Sequence, residues 1–334
     1  LNPLLSLTET QRAVVETARD FCAPEVPPFA AQWDRDAYFD RSLIGKLGDL
    51  GFLGMMIPEA WDGLGLDATT YLLALEEISA ADASVGALMS VHNSLPTQMI
   101  LNFGSDEQRA EFLGPMARGE KLGAFALSEP DAGSDAASMR AQAVRDGDDW
   151  VLNGTKAWVS AGRSAGVILA MVRTDVPDDR RGAKGIGAFI VTPDLPGFTV
   201  GKKENKLGLR ASETVQLVFD DMRVPASRLL GDPTQGFIYA LQSLDHGRLG
   251  IAAQAIGIAR AAFEHAVAYA RQREQFGQPI GEFQGIQFKL ADMATRIHAA
   301  RSLLPATAAA KDRGATVAAY ASLCKGFAAA TAMW

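Results

Sequence analysis

The 334-residue chain holds only two cysteines and four histidines. Cys22 and Cys324 lie far apart and beside no metal-ligand pattern, so both read as reduced packing residues. No two histidines fall at metal-ligand spacing, which argues against a zinc site. There is no excess of basic residues: 32 Lys and Arg face 39 Asp and Glu, a formal net charge of −7. That balance leaves no electrostatic footprint for nucleic acid or an anionic membrane. No apolar run reaches the roughly 18 residues of a spanning helix. Leu1 to Gln11 has no basic stretch leading into an apolar core, so it does not read as a secretory signal. A further absence concerns dinucleotides. No strand leads into G-x-G-x-x-G at a helix start. The nearest glycine cluster, Gly182 to Gly187, sits between two expected strands with the wrong spacing. A Rossmann site is thereby disfavoured, and any dinucleotide is held by another device.

What remains is an ordinary globular composition, 48% hydrophobic and 21% charged. The first third has helical periodicity over Thr8–Cys22, Arg41–Leu50, Ala68–Ala80, Ser84–Phe103 and Asp106–Arg118, with Ser or Asp caps and Gly stops. The period then changes. Leu122–Ser128, Met139–Arg145, Trp150–Ser160, Val167–Arg173, Gly187–Thr192, Phe198–Lys203 and Thr214–Val224 are short, β-branched or aromatic, and punctuated by Gly, Asp and Pro. Helical pattern returns over Ile238–Phe276, Gly281–Ala310 and Ala315–Trp334. The expected fold class is α+β: an N-terminal helical domain (1–121), a middle β-domain (122–232) and a C-terminal helical domain (233–334).

Four segments are candidates for chemistry. Leu127 to Asp135 ends a strand and runs into a loop where Gly133 permits close backbone approach and Ser134 offers a hydroxyl. Composition alone favours a plain strand-to-strand turn. Trp158, with Lys156 and Ser160 on the same strand, reads as a core aromatic, or as a flat ring beside a cofactor. Asp245 and Arg248 share a helix face, as an exposed ion pair or as the polar floor of a ligand cavity; nothing nearby in sequence orients His246. Arg271 and Arg273, near Phe276, suit a helix C-terminus, or a grip on a pyrophosphate and a flat ring.

Taken jointly, these segments resemble the acyl-CoA dehydrogenase family, over essentially the whole chain. The matching signatures are Leu127-Ser128-Glu129-Pro130 with Ala132-Gly133-Ser134-Asp135, Asn153-Gly154-Thr155-Lys156 with Trp158, and Leu207-Gly208-Leu209-Arg210 followed by Val218-Phe219 and Val224-Pro225. Asp245 with Gly247-Arg248, Arg273 with Phe276-Gly277, and Phe283-Gln284 leading to Gln287-Phe288 complete the set. The Gly247-Arg248 pattern and the run Gln287 to Ala294 are most similar to members acting on short straight or short branched acyl chains.

The resemblance implies FAD as cofactor and acyl-CoA as substrate. It places Phe125, Leu127, Ser128, Gly133 and Ser134 on FAD, with Ser134 also on acyl-CoA. Trp158, Val159 and Ser160 would lie against the flavin ring. Arg273, Gln275, Phe276 and Gln284 would reach FAD from a neighbouring subunit, which implies a homo-oligomer, usually a tetramer. Asp245, His246, Gly247 and Arg248 would line the acyl-CoA site. The implied reaction is α,β-dehydrogenation to the trans-2-enoyl-CoA, with an electron-transfer flavoprotein reoxidising the flavin. The implied location is the cytoplasm of a bacterium or the mitochondrial matrix of a eukaryote.

One departure stands out. The family's usual base is a Glu in the last helical region, which is expected beyond Trp334, so no catalytic base is expected within 1–334. Some relatives carry the Glu at the position of Gly247, where glycine cannot serve, and Glu129 suits a structural role. The competing expectations are a non-catalytic binding or assembly protein on the same fold, and a flavin oxidase or monooxygenase.

Overall fold

The computed structural model describes residues 6–174 and 182–334. Helices come first: α1 (Glu9–Glu25), α2 (Pro27–Asp36), α3 (Ser42–Asp49), α4 (Ala68–Ala81), α5 (Ala83–Ser94), α6 (Pro96–Phe103) and α7 (Asp106–Ala117). Strands follow: β1 (Leu122–Ala126), β2 (Gln142–Asp146), β3 (Asp149–Ser160), β4 (Ala165–Arg173), β5 (Ile186–Val191), β6 (Phe198–Lys203), β7 (Thr214–Pro225) and β8 (Leu229–Leu230). The chain then forms α8 (Gly236–Gln272), a small hairpin of β9 (Glu274–Gln275) and β10 (Gln278–Pro279), α9 (Gln284–Asp312) and α10 (Ala318–Met333). This order of helices, sheet and helices is the expected α+β arrangement.

Three local expectations are corrected. Ser84–Phe103 is two helices, because Pro96 starts a new one and has no N–H to continue the old. The helix α2 was not expected; its Pro27 and Pro28 sit where a first turn tolerates proline. The helix expected to reach Phe276 stops at Gln272.

The residues gather in two compact units. One comprises the N-terminal stretch to Ala31, Asp67–Ala87 and Arg248–Trp334. In it α4 packs against α1 and α9. The α4 start is capped twice: Asp67 accepts from Thr70 N at 2.7 Å, and Asp312 accepts from Ala68 N at 3.0 Å and Thr69 N at 3.2 Å. Both carboxylates sit at the positive end of the helix dipole. Farther along, Glu76 and Glu77 are buried in an otherwise apolar helix. Arg19 and Arg260 each meet Glu77 with two hydrogen bonds of 2.6–3.0 Å. Glu76 takes Arg301 at 3.0 Å and Arg260 at 3.2 Å. Burial alone would raise the Glu77 carboxyl, but the bonds from Arg260 and Arg19 outweigh it and hold the group below its ordinary value. Burial prevails at Glu76, which stays above its ordinary value.

The second unit comprises Gln32–Leu66 and Leu88–Gly247. Its sheet has the order β6-β7-β3-β2-β4-β5-β8, with β1 pairing parallel to β4. On β4, Ile168, Ala170 and Val172 join Leu152, Phe189, Leu217 and Phe219 in one core. Val167, Leu169 and Met171 face the other way, onto Met99, Phe112 and Met116 of α6 and α7. A strand buried on both faces reads as a near-continuous apolar run, as β4 does from Ala165 to Val172. His92 of α5, fully buried, ties this unit together. Its Nδ1 accepts from Gly123 N at 2.9 Å, so Nε2 carries the hydrogen and donates to Leu53 O at 3.1 Å. Burial pushes its pKa down to about 4.

Two outcomes follow in denaturation experiments. Glu77→Ala leaves the poorly exposed Arg260 short of a partner and is expected to cost about 3 kcal/mol, whereas Arg19→Ala, at a half-exposed site, costs under about 1 kcal/mol. His92 is neutral when folded and protonates with an ordinary pKa when unfolded, so stability present above pH 6.5 is lost on acidification toward its folded value of about 4. Between pH 7 and 5 that loss is about 2 kcal/mol, and His92→Gln should flatten it in urea titrations at the two pH values.

Candidate active site

On β1, Ala124 and Ala126 enter the sheet core, while Phe125 and Leu127 turn toward the α6–α7 side and are half-buried. Past the strand end, Ser128 runs beside β3, and its carbonyl accepts from Ala157 N at 2.8 Å. The structure thus brings together 125–128 and 158–160, two segments singled out in the sequence. The chain then reverses, closed by Glu129 N to Ala132 O at 3.0 Å and Ala132 N to Glu129 O at 3.2 Å. Gly133 and Ser134 stand exposed beyond this turn, and a Cβ at Gly133 would meet nothing within 4 Å.

A bulge in β3 decides where Trp158 goes. Lys156 pairs with Leu217 and Val159 with Val215, so three steps on β3 match two on β7. Alternation breaks: Lys156 and Ala157 are both buried, and Trp158 swings outward, 60% exposed at φ +59°. The reading of Trp158 as a core aromatic is therefore wrong, since one extra residue re-aims the side chain. A tryptophan in the left-handed region costs on the order of 1–3 kcal/mol, and here no burial compensates. Two residues on, half-buried Ser160 borders an open cleft lined also by Tyr38, Arg41, Leu88, Ser164 and Glu213. Val159 between them is buried in the sheet core.

Beneath these exposed groups lies a buried ion pair. Lys156, with no exposed surface, sends its Nζ to Glu129 Oε1 at 2.7 Å and to Leu127 O at 3.1 Å. Glu129 Oε1 also accepts from Ala141 N at 3.0 Å, and Oε2 from Arg140 N at 2.6 Å. Burial pulls the Lys156 ammonium down to about 8, with Glu129 acting against it, so the lysine is charged at neutral pH. Gly154 completes the contact: at φ +142° its missing Cβ leaves room for Ala141, whose own Cβ would lie 2.4 Å away.

On α8, Asp245, His246 and Arg248 are half-buried, while Gly247 is buried and a Cβ there would meet Leu95 Cδ2 at 3.3 Å. In the helical unit, Arg273, Gln275, Phe276 and Gln284 are all exposed. Phe276 and Gly277 link β9 to β10 with φ of +53° and +78°, the two positive values a type I′ turn needs. Phe276 is 94% exposed and meets Phe283 edge-on at 6.1 Å. Of the two arginines read as helix-terminal, only Arg271 lies in the last turn of α8; Arg273 falls after it.

A bare tryptophan face, hydroxyls at Ser128, Ser134 and Ser160, and open space over Gly133 suit a planar ring with polar edges, as a flavin has. Among the described residues no group of side chains could hold a metal ion.

Models of the acyl-CoA dehydrogenase N-terminal, middle and C-terminal domains match residues 8–120, 124–222 and 234–334. The mouse mitochondrial short-chain specific acyl-CoA dehydrogenase is 49% identical over 308 residues, 92% of this chain and 74% of that protein. The chain belongs to the acyl-CoA dehydrogenase family. Butyryl-CoA dehydrogenase from Megasphaera elsdenii superposes with a TM-score of 0.95 at 40% identity, over 98% of this chain and 86% of that one. A glutaryl-CoA dehydrogenase from Mycobacterium smegmatis, solved in complex with FADH2, gives 0.92 at 36% identity, over 98% and 82%.

Within this family member, sequence reading placed Lys156, Gly154 and Glu129 in signatures without seeing that they form one buried clamp. A usable signal existed. Lys156 follows Leu152 and Gly154 at every second position of a strand, on the face that Leu152 buries.

Trp158→Gly tests whether the strained tryptophan is kept for a ligand. Relief of the left-handed strain offsets glycine's entropy, so apoprotein stability should stay within about 1 kcal/mol. Affinity for FAD, read by flavin fluorescence quenching, should fall by about tenfold or more for loss of one stacked ring face. Unchanged affinity would remove Trp158 from the site.

Proposed function

We propose that this chain catalyses FAD-dependent α,β-dehydrogenation of a short acyl-CoA, giving the trans-2-enoyl-CoA. Its relatives' names support the acyl size: one is short-chain specific and another acts on butyryl-CoA. The outward-held Trp158 carries the reading on the structural side, because nothing else in the unit explains its exposure at positive φ. Neither the binding-protein alternative nor an oxygen-using flavoenzyme has a counterpart among these relatives.

Bound FAD supplies the acceptor for the hydride that leaves the β-carbon. The chain's part is to hold the ring and the thioester. Trp158 offers a ring face, and Ser160 and Ser128 offer hydroxyls at its edge. Exposed Ser134 is assigned to both ligands. The α-proton must go to a base, and no proposed site residue within 1–334 suits that task. Glu129 is neutralised by Lys156 and two backbone N–H groups, and position 247 is glycine. We assign the base to a Glu outside residues 1–334. Removing the α-proton also leaves enolate-like charge on the thioester oxygen, which directed hydrogen bonds must stabilise.

Three further assignments rest on this reading. The exposed set Arg273, Gln275, Phe276 and Gln284 serves the flavin of a second protomer, which makes the enzyme a homo-oligomer. An electron-transfer flavoprotein would be the partner that takes the electrons onward. The enzyme works in the cytoplasm of a bacterium or the matrix of a mitochondrion; among the described residues no helix is long and apolar enough to cross a membrane.

Anaerobic addition of butyryl-CoA to the FAD-loaded full-length enzyme tests the proposal. Rapid loss of the flavin's visible absorbance is expected, strongest for short chains in an acyl-CoA panel. A flavin that stays oxidised with every acyl-CoA overturns it.

A further inference from the structure

The signature Asn153 to Trp158 contains one charged residue with no exposed surface, Lys156, and nothing in the proposed chemistry uses it. Its surroundings are specific. The ammonium bonds the carbonyl of Leu127 and the carboxylate of Glu129. That carboxylate in turn gathers the N–H groups of Arg140 and Ala141, on the far side of the 130–139 loop. The adjacent Ala157 N–H bonds Ser128 O, and Trp158 follows in the bulge. Lys156 therefore touches or neighbours both halves of the exposed face: 127–128 on one side, 158 on the other. The loop bearing Gly133 and Ser134 has both of its stems, at Glu129 and at Arg140–Ala141, fixed to the same carboxylate.

We propose that Lys156, acting through Glu129, is a positioning residue for FAD: it holds the Leu127–Ser134 loop and Trp158 in the relative placement that grips the flavin. The inference rests on the flavin reading above and assigns a role to residues that touch no ligand. Aliphatic packing fills a core position without desolvating an ammonium and a carboxylate, whereas an ion pair with directed hydrogen bonds fixes one geometry among several of similar packing.

The test uses the holoenzyme and its deflavinated form, with FAD as the probe. Lys156→Met keeps the volume and removes the donor; Glu129→Gln keeps the shape and removes the charge. Each is expected to raise the FAD dissociation constant by about tenfold or more, the worth of a charge-assisted hydrogen bond, and the double variant by no more than the larger single change. Gln108→Ala is the control. Gln108 bonds Ser227 O and Leu229 O elsewhere in the same unit, so its loss lowers the melting temperature without touching the loop. FAD affinity within twofold of wild type is expected there. Wild-type affinity in Lys156→Met, or an equal loss in Gln108→Ala, overturns the proposal. Should the buried variants not fold, hydrogen exchange of the wild type decides. The amides of Arg140, Ala141 and Ala157 should exchange more slowly with FAD bound, and identical exchange in the two forms refutes the role. A wild-type enzyme that binds no FAD would instead sink the function proposed above.

Discussion

An ammonium without water is costly, and Lys156 is stable only because Glu129 lies 2.7 Å away. Much of the sheet unit is arranged around that one contact. Gly154, without a Cβ, lets β3 lie against Ala141, whose amide the carboxylate takes. The reversal at Glu129–Ala132 sets the carboxylate's direction. The bulge after Lys156 then turns the next aromatic outward while Val159 returns to the core. Charge, glycine and bulge form a single device. Each looks like a defect in a strand if taken alone, and each is explained by the others.

The helical unit meets the same problem and solves it differently. Two adjacent glutamates on α4 are buried, and three arginines from α1, α8 and α9 answer them. No flexible loop or exposed ring depends on this network. Its effect is to set how the helices are rotated against each other, since apolar faces rich in alanine slide easily and guanidinium forks do not. The double anchoring at the α4 start by Asp67 and Asp312 fixes the helix along its axis as well.

Much of this was legible in the sequence. The order of helices, sheet and helices is visible in the change of hydrophobic period, and β4 betrays its two buried faces by having no polar alternation. Cap residues such as Thr8 and Ser105 announced α1 and α7, and both close capping boxes. Proline was the main source of error. Pro27 and Pro28 begin α2, where no helix was expected, and Pro96 begins α6 inside a stretch expected to be one helix. The site was legible as a set of positions, not as geometry. Read from its strand alone, Trp158 was a core aromatic or a cofactor-facing ring, and the resemblance placed it on the flavin; the one-residue bulge that sends it out is invisible to a period-two pattern. Phe276 read as helical because the chain stays helix-like up to Gln272, and the I′ turn needs Gly277 together with a phenylalanine that few would place at positive φ. The Lys156–Glu129 pair joins residues 27 positions apart, a contact that periodicity cannot report.

The two units also differ in when they can exist. The helical unit is discontinuous: α1 and α4 precede the sheet unit's long segment Leu88–Gly247, while most of α8, and all of α9 and α10, follow it. During synthesis, Glu76 and Glu77 emerge well before Arg260 and Arg301, which are to neutralise them. At about 5–20 residues per second, that wait is on the order of ten to forty-five seconds. The sheet unit can be complete within that interval, while α4 waits with Glu76 unmatched and Glu77 able to meet only Arg19 of α1. Those acids keep the waiting segment hydrated and discourage it from settling into a wrong apolar contact. The residues that lock the finished bundle thus also guard its unfinished half on the ribosome.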